Sequence, residues 1–191
     1  GSFVLLPFPL LRQKRQCIII KQTDFIFLQK KERGPLRRCE RWTMSRRNAR
    51  ELALHMIYSG EYSEKDPEQF VKDALSAQHF EELAEEYELY QAAPPDNQLE
   101  YITRLVTGVL THGPELDTYI EKYAVGWSVS RISRMTKCIL RMAMYEMLYL
   151  QIPVGASVNE ALLLCKKYES DQAASFINGI LASFIKKELT A

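Results

Sequence analysis

The four cysteines of this chain, Cys17, Cys39, Cys138 and Cys165, include no CxxC pair, and no histidine stands at metal-ligand spacing from them. That argues against a zinc site and against a disulfide scaffold, and fits reduced thiols in a cytoplasmic protein. No metal and no cofactor is expected. Apolar runs of the roughly 18–20 residues that a membrane span needs are also missing, so the protein is expected to be soluble. Strict apolar–polar alternation, the mark of half-buried strands, occurs nowhere. A glycine-rich nucleotide loop following a strand is lacking, as is a catalytic cysteine motif. Even net charge is scarce: 25 Lys and Arg face 24 Asp and Glu, leaving +1.

What charge there is lies unevenly. Residues 1–43 carry ten basic and three acidic side chains, a net of +7, which leaves residues 44–191 at −6. An acidic body repels nucleic acid at long range, so RNA binding requires a local basic cluster or a partner that brings positive charge. The 191 residues, 47% of them hydrophobic, suffice for one core. Residues 1–43 hold apolar patches at Phe3–Leu11, Ile18–Ile20 and Phe25–Leu28, then the basic segment Lys30, Lys31, Arg33, Arg37, Arg38, Arg41. None shows sustained helical period. Gly1-Ser2 resembles the scar of tag removal, and Met44 is read as the native start. A secretory signal fits less well, because no basic region precedes the apolar run and no small-residue cleavage site follows it.

From Met44 apolar residues recur at helical spacing, which predicts an all-α bundle over residues 44–191. Ser45 is a predicted N-cap, and Ala49, Leu52, Ala53, Met56 and Ile57 form one buried stripe. At about 100° per residue, Arg46, Arg47, Arg50, Leu54 and Tyr58 fall on an adjoining flank. Further helices are predicted from Pro67, through a solvated acidic stretch Glu81–Glu88, from Asp96 beyond the Pro94-Pro95 break, and over Pro114–Val125. The stretch Cys138–Leu150 has only Arg141 and Glu146 as charges and belongs in the middle of a bundle. Ser157 with Glu160 reads as a capping box for the next helix. Gly179, inside the last helix, costs roughly 1 kcal/mol of propensity and is expected to permit close packing. Asn159-Glu160 and Asn178-Gly179 are read as ties between helix ends rather than catalytic groups.

Five segments in order carry a resemblance: SRRNARELALHMIY (Ser45–Tyr58), ILRMAMYEML (Ile139–Leu148), PVGASVNEAL (Pro153–Leu162), CKKY (Cys165–Tyr168) and FINGIL (Phe176–Leu181). Together they resemble the NusB family of transcription antitermination factors across essentially all of residues 44–191. The resemblance implies an all-α fold of about seven helices, binding of boxA-type single-stranded RNA, and no catalysis. It also implies a small-subunit ribosomal protein acting as NusE, within the antitermination complex of bacterial RNA polymerase.

The family's arginine-rich motif maps onto Arg46, Arg47 and Arg50, with Asn48 where some relatives carry another arginine. Arginine forks grip phosphate and stack on bases, and Tyr58 is the expected aromatic contact. On this reading Arg46→Ala with Arg50→Ala lowers RNA affinity and leaves helicity intact. Gln151 stands where relatives have an acidic residue near the RNA, and its neutrality should favour binding. Thr136-Lys137 replaces the acidic residue of a region facing the ribosomal partner. Two other readings compete: a helical interaction module that homodimerises without binding RNA, and the RNA-binding front of an RNA methyltransferase.

Overall fold

Ser45 begins the first helix as its sequence predicts, its Oγ accepting from the Asn48 amide at 3.1 Å. In the computed structural model, which describes residues 44–126 and 129–190, α1 runs Arg46–Gly60. Asp66 caps α2 (Pro67–Ala74) and Ser76 caps α3 (Ala77–Ala84). Beyond Pro94-Pro95 come α4 (Asp96–Thr111) and α5 (Gly113–Tyr123). Then follow α6 (Arg134–Leu148), α7 (Val154–Tyr168) and α8 (Asp171–Phe184). Short 3₁₀ turns lie at Glu88–Tyr90 and Val129–Arg131. The expectations placed on residues 1–43 lie outside the described residues.

Eight α-helices and no strand occur among the described residues, in keeping with the expected all-α class. Packing centres on α6, which touches α1, α4, α5, α7 and α8. This is where its nearly all-apolar surface has to go. Its two buried charges are both paired. Arg141 grips Asp117 of α5 through Nε and Nη2 at 2.7 and 2.6 Å, and Nη1 reaches Glu61 at 2.5 Å. Glu146 belongs to the site described below.

Four local expectations are corrected. The helix expected from Ser157 starts earlier, at Val154, so Ser157 lies buried within α7 and Glu160 is bound elsewhere. The acidic stretch ends its helix at Ala84 and buries Phe80 and Leu83. Gly179 packs closely on nothing: a Cβ there would meet no atom within 4 Å. Close approach belongs to Gly108, where a Cβ would come within 2.0 Å of the Tyr145 ring. Finally, α1 is wedged between α4 and α6, so the arc holding Arg50, Leu54 and Tyr58 is buried rather than an open flank.

Candidate nucleic-acid interface

Only the first turn of α1 reaches solvent with its arginines. Arg46 is exposed, its guanidinium carbon 4.0 Å from the centre of the Tyr101 ring on α4. This cation–π contact holds the side chain over the helix start without neutralising it. Arg47 is also exposed and forks onto Glu160 of α7, with Nε–Oε2 at 3.1 Å and Nη2–Oε1 at 3.0 Å. The Arg47 hydrogen bond in turn holds the Glu160 carboxyl below its ordinary range. No acidic side chain occupies this first turn, so the positive end of the helix dipole adds to both guanidinium charges.

Arg50, one turn further on, is 6% exposed and points inward. Its Nε donates to Glu146 Oε1 at 2.7 Å, and the Tyr101 hydroxyl donates to the same oxygen. Tyr58 is 1% exposed, with its hydroxyl 3.3 Å from that of Tyr62. At the end of α6, Gln151 is exposed and adopts a left-handed backbone, φ 52°. The next amide, of Ile152, closes the turn by donating to the Glu146 carbonyl at 3.1 Å. Thr136 is buried in the first turn of α6, its amide donating to Ser133 Oγ at 3.1 Å, while Lys137 beside it is half-buried.

Comparison with known proteins decides what this arrangement belongs to. The model of the NusB family matches residues 47–186. The chain belongs to the NusB family. A transcription antitermination protein NusB of Acetivibrio thermocellus is 38% identical over 147 residues, covering 76% of this chain and 92% of that protein. The solved T. maritima NusB has a TM-score of 0.62 at 24% identity, covering 76% of this chain and 94% of its own. A solved complex of antitermination factors NusB and NusE with dsRNA has a TM-score of 0.58 at 26% identity, covering 74% of this chain and 96% of that one.

The structure redistributes the residues expected to serve a NusB-type RNA site. Arg46, Arg47 and Gln151 are open to solvent. Arg50 and Tyr58 are not: the first is consumed by a buried carboxylate and the second by the core, because α1 packs on both sides. Thr136 is likewise withdrawn from the surface proposed for the partner, since it sits under the Ser133 cap. Sequence reasoning missed Tyr101 and Glu160, which hold Arg46 and Arg47 in place. Neither could be found from spacing: each contact joins elements far apart in the chain, and no local period encodes it.

Proposed function

We propose that this chain is a transcription antitermination factor that binds boxA-type single-stranded RNA, acting with the ribosomal protein NusE in the RNA polymerase complex of a bacterial cytoplasm. Residues 44–191 form its RNA-binding domain, and it performs no catalysis and carries no cofactor. Membership of the NusB family supports this reading. The observation that carries it to particular residues is the pair of exposed arginines on a helix start whose own first turn has no acidic residue. Arginine forks suit phosphate oxygens, and the Arg47 side chain is 60% exposed while its partner Glu160 is only 13% exposed, so a phosphate meets Arg47 from the solvent side of the pair. Gln151 presents a neutral amide, and Lys137 faces the ribosomal partner.

The test is fluorescence anisotropy of a labelled boxA-type RNA and a scrambled control, with and without NusE. Preference for boxA, sharpened by NusE, is expected. Equal or absent binding in both settings would move the function to the homodimeric interaction module.

A further inference from the structure

Away from the first turn of α1, one aromatic cluster reaches the surface. Tyr149, the C-cap of α6, is 38% exposed. Its ring centre lies 4.8 Å from that of Tyr145 and 4.6 Å from that of His112, at interplanar angles of 24° and 35°. The Tyr145 and His112 centres are only 5.8 Å apart. A ring sandwiched between the two would hold them at roughly twice its own stacking distance of about 4.5–5 Å. Tyr149 therefore covers both with one face, and neither ring covers the other face. Its hydroxyl is fixed by Glu115, donating at 2.8 and 2.9 Å, and the same carboxylate lies 2.9 Å from His112 Nδ1. The tilt of the ring is thus set from its edge.

This cluster and Arg46 lie against the same side of α4. On α4 and at its C-cap, Tyr101, Arg104, Gly108 and His112 recur at spacings of three and four along one side, about 16 Å long, in which Tyr101 and Gly108 are buried, His112 is half-buried and Arg104 is exposed. Arg46 covers Tyr101 at one end, Tyr145 lies against Gly108, and Tyr149 covers His112 at the other end. Arg104 stands between, beside Tyr145 on the wall of a groove of about 660 Å³ that α2 completes with Glu68 and Lys72 and that Tyr149 does not line. Its contact to Glu100 is 3.9 Å long between two mostly exposed side chains, so its charge is available to a phosphate. Gln151 follows Tyr149 by two residues.

We infer that Tyr149, seated on Tyr145 and His112 with Arg104 beside it, is a stacking platform for an unpaired base of single-stranded RNA. Cations at Arg46 and Arg104 track the backbone, and the open ring face takes the base, the combination by which single strands are held. Glu115 does not oppose this, since its carboxylate is engaged at the ring edges and away from the open face. The inference rests on the RNA-binding reading above.

The experiment uses the full chain with boxA-type RNA carrying 2-aminopurine at successive positions. Quenching at one position is expected, retained in Tyr149→Phe and lost in Tyr149→Ala. Affinity should fall on the order of tenfold in Tyr149→Ala, as for loss of one stacked base. An abasic site at the quenched position should abolish the difference between the two proteins. Arg104→Ala should reduce the log–log salt slope by about 0.7, one phosphate contact. If the wild type binds boxA and Tyr149→Ala binds equally with unchanged quenching, the platform is dismissed while the RNA reading stands. Loss of NusE binding alone in Tyr149→Ala would replace the RNA platform with a protein contact. Failure of the wild type to bind RNA, with or without NusE, would overturn both.

Discussion

Arg50 shows how the same residue type changes meaning with depth. At the exposed start of α1 a guanidinium is free to meet a ligand; one turn later it is the counter-charge of Glu146, which is 1% exposed. Removing one partner of a buried ion pair strands the other, at a cost of roughly 3–5 kcal/mol. Arg50→Ala should therefore lower the urea midpoint strongly, whereas Arg46→Ala should shift stability by no more than about 0.5 kcal/mol. Arg50→Met with Glu146→Leu should recover only part of the loss, since the buried Tyr101 hydroxyl then lacks its acceptor. The double replacement of Arg46 and Arg50 expected from the sequence would confuse binding with folding; Arg46 and Arg47 are the pair to change.

His55 makes a second prediction at this scale. Burial lowers its pKa from about 6.5 to about 4, opposed by the charge of Glu51. Its Nε2 lies 2.7 Å from the Tyr168 hydroxyl, which donates to Glu51, and Nδ1 lies 3.4 Å from the Tyr90 hydroxyl. This network suits a neutral ring with the proton on Nε2. The unfolded chain takes up a proton below pH 6.5 that the folded ring refuses until about pH 4. Stability should thus fall as pH drops through that window, by roughly 3 kcal/mol in all. Urea titrations at half-unit intervals should show the fall, and His55→Gln should flatten it; an unchanged slope would locate the acid sensitivity elsewhere.

At the scale of elements, two glycines in helices separate what the sequence reveals from what it hides. Both Gly108 and Gly179 cost helix propensity, yet a Cβ at Gly108 would strike Tyr145 while one at Gly179 meets open space. Gly179→Ala should raise stability by about 0.5–1 kcal/mol. Gly108→Ala should lower it by about 1–3 kcal/mol as the ring is forced out of its seat. Thermal melts of the two variants check both signs. The sequence assigned close packing to the wrong glycine because propensity is local and contact is not. The starts of α1, α2 and α4 were legible, since Ser45, Pro67 and the break before Asp96 act within a turn of themselves. The Ser157–Glu160 signal misled because Pro153 already starts α7 and because Glu160 serves Arg47, 113 residues away. Arg50 and Tyr58 lie deeper than their place on the flank suggests, because helical period gives the angle around α1, not the number of neighbours surrounding it; Thr136 came from the resemblance, which carries a position and not its burial.

For the whole molecule the governing fact is charge distribution, with residues 44–191 at −6 and residues 1–43 at +7. RNA approaching the helical domain meets net repulsion except where exposed arginines gather. The first turn of α1 should consequently carry a disproportionate share of the salt dependence. Each phosphate contact on a single strand contributes about −0.7 to the slope of log affinity against log salt. Arg46→Ala with Arg47→Ala should make the slope shallower by about 1.4 and weaken boxA and scrambled RNA alike, since phosphate contacts carry no sequence information. The basic segment contributes equally to wild type and variant, so their difference reports the helix alone. Unchanged urea midpoints would show that this loss is one of binding. A slope that stays the same would mean that the arginines face the RNA without neutralising it, and that affinity comes from the ten cations before residue 44.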